Sequence, residues 1–480
     1  LVGAPLGSIF RLKPAIANRH ALSQVLQESL TMYVVEQFAH WACHFRTQRV
    51  SDEVAHHAKR AIVDWFAALF PGAVEPPATL LEKALADELG HGQARLALGA
   101  PATARLAALI NGTAAHTAEV DDIFRDGIYH PGAPTIAAAL AMAQARGLDG
   151  KGLMRAVIVG YEISTRIGAF MGRDHYKYFH NTGTIGCFGA TAAAAEVLQL
   201  NPKQFANALA TVATFSAALQ QAFRMDSMSK PLHAGRAAEA GILAALAAAE
   251  GVTGSLDVLE GDAGYGKALS HGNQGPDWSR IGATLGEDFH INRMTFKNHA
   301  CCGHSFAAID GALAVKKSMQ IAADEIARIR IGGYRATLEV AGYEQPQTPA
   351  EARFSTKYTV ATALTHGNVR LAAFEHGRIH HPATRALMDK IEMVLDPELD
   401  ATFPKQRAAR VTVETHDGRR LEHLQPTRKG DPDAPLTDTD LTEKYLELAE
   451  PVLGSARAQA LLAQLWALEA QTDLQALCGR

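Results

Sequence analysis

A mainly α fold is predicted, and three features of the sequence predict it. Up to about residue 270 the chain is dominated by Ala, Leu and Glu, with almost no alternation of β-branched residues, and this is helix-forming composition. Segments 327–333 (Ala-Arg-Ile-Arg-Ile-Gly-Gly) and 408–415 (Ala-Ala-Arg-Val-Thr-Val-Glu-Thr) alternate with period two, as half-buried strands do. The second runs through Asp417-Gly418, a hairpin turn signal, into 419–424. After Pro435 the helical pattern returns, over 441–453 and 456–468, in a tail placed to close back on the first helices.

In chain order, helices are predicted over 21–45, from Ser51 (an N-cap residue) to the Pro71-Gly72 break, from after Pro76-Pro77 to near Gly90, and over 102–121. Others follow over 133–145, 151–171, 183–198, 203–223 and 232–250. Shorter ones, over 306–317, 358–364 and 382–394, are interspersed with the strands. The organisation read from this is an N-terminal extension (1–25), an all-α part (26–269), a smaller α+β part (270–432) and a helical C-terminal part (433–480).

Of the 480 residues, 48% are hydrophobic and 20% charged, and the net charge is −4. That balance carries no bias toward nucleic acid or an anionic membrane. No window holds the roughly 18 uninterrupted apolar residues of a membrane span. Five cysteines, an odd number with no framework spacing, suit a reducing cytoplasm, and a cytoplasmic protein is expected.

The polar stretch from His116 to Gly132 holds Glu119, Asp121, Asp122, Asp126, Arg125 and His130 between two apolar helices. It is too polar for core and sits where a scaffold places chemistry. A pattern downstream reinforces this. Basic residues stand at the heads of four helices: His130-Pro131, His180-Asn-Thr, Lys230-Pro231-Leu-His233 and His304-Ser305. A helix N-terminus already carries unpaired N–H groups and partial positive charge, so a cation there is locally unfavourable. Four such placements, with Lys297 and Arg224 nearby in sequence, make sense around an anion, a small carboxylate or phosphate compound.

Other chemistry is poorly supported. No Gly-x-x-x-x-Gly-Lys-Ser/Thr occurs, and no strand carries Gly-x-Gly-x-x-Gly. Gly303-His-Ser305-Phe-Ala307 lacks the final glycine and preceding strand of a nucleophile elbow. Cys301-Cys302-Gly-His304 has no second ligand cluster with metal-site spacing.

Taken together, these blocks resemble the MmgE/PrpD family, which includes 2-methylcitrate dehydratases, cis-aconitate decarboxylases and iminodisuccinate epimerase. The matching residues are His116-x-x-Glu-x-Asp-Asp…His130-Pro-Gly, Gly160-Tyr-Glu…His180-x-Thr-Gly-Thr-x-Gly, Lys230-Pro-Leu-His-Ala-Gly, Phe296-Lys297…Cys302-Gly-His304, Tyr358 and Asp431-Pro…Pro435-Leu-Thr-Asp, in family order over about 30–455. The resemblance implies a large all-α domain formed by both chain ends with an inserted, smaller α+β lid domain. It further implies a homodimer, no metal or organic cofactor, and an active site in the cleft between domains.

On that resemblance the catalytic candidates are His130, His180, Lys230, Tyr358, Glu119 and Asp121. Lys297, His304, His233 and Arg224 are the candidates for binding substrate. The expected activity is a lyase reaction on a small di- or tricarboxylate, by acid/base chemistry next to a carboxylate. Two departures keep an epimerase of the iminodisuccinate kind as an alternative: Glu119 stands where the family usually has Asp, and Ile123 where the decarboxylases and dehydratases usually have Thr. The third reading is a non-catalytic binding protein, against which the full set of histidines and lysines argues.

Overall fold

The Ser51 hydroxyl accepts from the Val54 N–H at 3.3 Å and starts helix α2 (Asp52–Ala73), which follows α1 (Val34–Phe45). The computed structural model describes residues 32–223, 227–272 and 274–479. The N-terminal extension and the first part of the helix expected over 21–45 therefore lie outside the described residues. The expected end at Pro71-Gly72 is not observed, because α2 runs through Pro71 to Ala73 with Phe70 and Pro71 buried. Packing of that last turn outweighs the one N–H bond that proline forfeits.

Helices α3 (Ala104–Thr117), α4 (Gly132–Arg146), α5 (Gly150–Tyr176), α6 (Gly186–Val197), α7 (Pro202–Ala213) and α8 (Ser229–Ala249) are the longer helices that follow in the first part. Helix α7 stops well short of the expected 223. The chain beyond it pairs with the segment ahead of His180 instead, through Gln220 N–H to Tyr178 O (2.9 Å) and His180 N–H to Ala218 O (3.1 Å). Helices α3 and α8 pack against each other and approach closely at Gly112 and Gly235. A Cβ on Gly235 would run into the Leu109 carbonyl and the Thr113 hydroxyl. This crossing brings the first turn of α8 beside the residues that leave α3.

The second part contains α9 (Phe306–Met319), β1 (Ile326–Gly333), α10 (Thr356–His366), α11 (Pro382–Met388), β2 (Ile391–Leu395), β3 (Ala409–Thr415) and β4 (Arg420–Gln425). The sheet order is β2-β1-β3-β4, parallel between β1 and β2 and antiparallel elsewhere. Ile329 of β1 stands opposite Ile391 on one side and Val413 on the other, and α9 packs on β3 and β4. The helix expected over 382–394 is thus a helix followed by a strand. Ile391 and Val394 are β-branched, and the open edge of β1 offers them a ladder.

Helices α12 (Asp438–Leu453) and α13 (Ser455–Trp466) return to the first part, where α12 packs along α2. The protein is mainly α. Among the described residues no helix is long and apolar enough to cross a membrane.

A buried ion pair locks α12 to α2. Lys444 Nζ donates to Asp64 Oδ1 at 2.5 Å and to the Val120 carbonyl at 2.6 Å, and both side chains are almost completely buried. Burial pushes the Asp64 carboxyl up, and the ammonium opposes it. Replacing Lys444 by Met leaves that carboxylate buried and unpaired and is expected to cost about 3–5 kcal/mol. The double replacement with Asp64→Leu is expected to recover most of the loss in urea denaturation. Because Val120 adjoins Asp121, the same lysine anchors the loop that carries the site.

Candidate active site

The stretch after α3 is shaped by three local devices. Glu119 has φ of 58°, a left-handed conformation that costs a residue with a Cβ and that clusters at functional sites. Asp122 caps α4, accepting the Gly132 N–H at 3.0 Å and the Tyr161 hydroxyl at 2.7 Å. Burial, with Asp64 and Asp121 nearby, pushes its carboxyl up to about 8. Finally, Ile123 and Thr295 exchange backbone hydrogen bonds of 2.8 and 2.9 Å in an antiparallel bridge. That bridge lays the second part alongside the loop and puts Lys297 next to Glu119 and Asp121.

The charged groups converge there. Glu119 Oε1 accepts from Lys230 Nζ, and its Oε2 lies 3.2 Å from Lys297 Nζ, which is also 3.3 Å from Asp121 Oδ1. Lys230 comes from the first turn of α8, with its ammonium 5.2 Å from the centroids of both Phe223 and Phe354. Burial, with Lys297 and Arg353 close by, pushes Lys230 well below the usual lysine range.

Asp121 also holds two imidazoles: Oδ2 is 2.7 Å from His116 Nδ1 and 3.3 Å from His130 Nδ1. Burial raises its carboxyl, but His130, His116 and Lys297 outweigh that and hold it well below the ordinary carboxylate range. His130 Nδ1 also lies 2.7 Å from the Asp122 carbonyl, which only accepts, so Nδ1 carries the proton and Nε2 the lone pair. Burial lowers His130 to about 3 and His116 to about 4, with the Asp121 charge opposing in each case. Both rings are therefore neutral imidazoles near pH 7. His116, Asp121 and His130 are a set whose ligand atoms lie within 4.8 Å of one another. In both histidines Nδ1–H donates to oxygen, which leaves Nε2 with the lone pair.

A cavity opens onto this cluster, lined by Glu119, His130, Lys230, Lys297 and His304 among others. A second shares Glu119, Phe223, Lys230 and Phe354 with it and reaches Arg353 and Tyr343. The cleft thus lies where residues of 117–231 meet those of 297–407.

Five of the sequence-predicted residues, Glu119, His130, Lys230, Lys297 and His304, line the inner cavity, with Asp121 directly behind them. His180 stands one row back, stacked on His116 (ring centroids 5.4 Å apart) with its Nδ1 3.0 Å from His233 Nδ1. Tyr358 is not brought to the cleft. It is fully buried on α10 and donates its hydroxyl to the Ala373 carbonyl, because that face of α10 packs inward on Phe374. Arg224 lies outside the described residues. Sequence reasoning missed His116, Tyr176, Phe354 and Arg407. His116 stood within the quoted stretch, whereas the other three carry no local signal.

Residues 36–276 match the model of the MmgE/PrpD N-terminal domain, and residues 299–468 that of the MmgE/PrpD C-terminal domain. The chain belongs to the MmgE/PrpD family. It is similar to a cis-aconitate decarboxylase-like protein of Aspergillus oryzae, 27% identical over 92% of this chain and 96% of the relative. Human cis-aconitate decarboxylase is likewise 27% identical, over 92% of this chain and 93% of its own. A 2-methylcitrate dehydratase of Escherichia coli K12 is 27% identical over a shorter stretch, 35% of this chain and 38% of its own. In this MmgE/PrpD protein the two matched domains meet at residues 276–299, and the Ile123–Thr295 bridge lies at that junction.

Proposed function

We propose that this protein is a lyase acting on a small tricarboxylate, with decarboxylation of cis-aconitate as the leading reaction. The observation that carries the reading is the meeting of Lys230, Lys297 and a neutral His130 on one cavity. The similarity to cis-aconitate decarboxylases along 92% of the chain supports it.

In decarboxylation the C–C bond to the departing carboxylate breaks, and its electron pair moves through the alkene to the carbon next to another carboxylate. Negative charge builds on that carboxylate and is discharged when the carbon takes a proton drawn from solvent water. Lys230 and Lys297 are preorganised ammonium donors for this charge in a largely dry cleft. Glu119 and Asp121 hold both ammoniums in place before substrate arrives. In dehydration the same electrostatics would serve, with His130 Nε2 removing the proton beside the carboxylate as hydroxide departs.

The finer architecture proposed with this activity is one helical body from both chain ends, with residues 270–432 as a smaller lid and two chains per assembly. Packing of α12 on α2, and the confinement of the four-stranded sheet to residues 326–425, support the first two points. Five free thiols accord with a cytoplasmic setting.

The test is to incubate purified protein with cis-aconitate and, separately, with 2-methylcitrate, following released carbon dioxide and the proton NMR spectrum. Carbon dioxide with a product one carbon shorter establishes decarboxylation. New alkene signals from 2-methylcitrate without carbon dioxide establish dehydration. Inertness toward both overturns the lyase reading.

A further inference from the structure

The cations of the cleft differ in whether they already have a counter-ion. Lys230 and Lys297 are occupied by Glu119 and Asp121. Arg428, fully buried behind His304, is held by Asp431 (Nε to Oδ2 2.8 Å) and donates to the Gly303 carbonyl at 2.8 Å. Arg407 has no such partner: it lines the inner cavity, is 4% exposed, and forms no ion pair with any carboxylate among the described residues. Asp431 contributes to the field at Arg407, but its oxygens are engaged by Arg428 and by the Thr295 hydroxyl (2.6 Å).

The guanidinium is nonetheless firmly placed. Its Nη2 donates to the Arg125 carbonyl at 3.1 Å, and its Cζ stands 5.6 Å from the Phe403 ring. Phe403 stacks on Tyr334 (centroids 4.4 Å apart, planes 12°), whose hydroxyl lies 2.9 Å from His304 Nδ1. Arg407 Nε is buried without a hydrogen-bond partner among the described residues. Buried charges are normally paired, and an unpaired one is strongly unfavourable. Burial, followed by the Arg428 charge, lowers Arg407 only to about 10, so it stays protonated at neutral pH.

We propose that Arg407 binds a carboxylate of the substrate, a different one from that held at Lys230 and Lys297. The inference rests on the polycarboxylate reading of the cleft and deepens it. A planar fork of N–H donors matches a carboxylate bidentately, which a lysine does not. With a lysine pole on the Glu119 side and Arg407 on the His304 side, the cavity selects molecules bearing at least two separated carboxylates. A monocarboxylate would leave one pole empty.

The experiment uses tricarballylate, a saturated tricarboxylate with neither alkene nor hydroxyl to react, and propionate as the single-carboxylate control. Affinities are measured by calorimetry for the wild type, Arg407→Gln and Arg407→Lys, each checked for folding by thermal melting. Tricarballylate is expected to bind Arg407→Gln about 30-fold or more weakly than wild type, the low end of the loss on truncating a buried charge pair. Arg407→Lys is expected to fall between the two, and propionate, which fills only one pole, to bind the wild type far more weakly than tricarballylate does. Equal tricarballylate affinity in wild type and a folded Arg407→Gln overturns the assignment and leaves the lyase reading standing. If Arg407→Gln does not fold, wild-type affinity in Arg407→Lys overturns it in the same way. A wild-type protein that binds neither tricarballylate nor cis-aconitate overturns both readings together.

Discussion

Lys230→Met is expected to lower kcat/KM by about 10²–10³-fold, the usual loss when one preorganised donor to a developing oxyanion is removed. The size follows from position: Lys230 lines both cavities, and its charge is pinned between Glu119 and two aromatic rings. The substitution also takes one of the two lysine partners of Glu119, leaving Lys297 to serve both Glu119 and Asp121, so it destabilises the protein by a separate route. That route is separable. Adding Glu119→Gln removes the excess buried negative charge, and the double variant is expected to regain thermal stability without regaining turnover. Steady-state rates and melting curves on the same samples check both halves. Recovery of activity in the double variant would mean that Lys230 only supports the fold.

His130→Gln is expected to lower dehydration turnover by about 10²–10⁴-fold, the usual contribution of a positioned base. Its pH behaviour distinguishes it from an ordinary surface histidine. Burial holds His130 at about 3 and His116 at about 4, against about 6.5 in the unfolded chain. The catalytic profile is therefore expected to show no limb near pH 6.5 from His130. Stability carries the pH dependence instead. Between pH 6.5 and these lowered values the unfolded chain binds protons that the folded one refuses, so stability rises with pH. The histidine contribution is complete above about pH 6.5 and is lost as pH falls toward 4 and then 3. Melting temperature against pH should fall on this acid side less steeply in His130→Gln than in wild type, since one of the refusing groups is gone.

Much of this site was legible because chemistry-bearing residues recur at helix starts. His130, Lys230 and His304 were found by that rule, and the crossing of α3 and α8 at Gly112 and Gly235 shows why the places of two of them in the fold converge. Strands β1, β3 and β4 were legible from period-two alternation. Strand β2 was not, since Ile-Glu-Met-Val-Leu reads equally well as the end of a helix until β1 offers it an edge. Arg407 sits in Gln-Arg-Ala-Ala-Arg, a setting typical of solvated surface. What makes it notable is burial without a counter-ion among the described residues, a property of the folded chain alone. Tyr358 illustrates the reverse case: the residue matches the family block, but its hydroxyl is engaged by the Ala373 carbonyl.

The central claim is that this cleft builds negative charge on a carbon next to a carboxylate. It is tested most directly by following cis-aconitate in deuterated water by NMR, with wild type and Lys230→Met side by side. The account predicts that wild type releases carbon dioxide and yields a product carrying one solvent deuterium on the carbon beside a carboxylate, while Lys230→Met yields almost none. A wild-type product free of solvent deuterium, or equal rates in the two proteins, would contradict it.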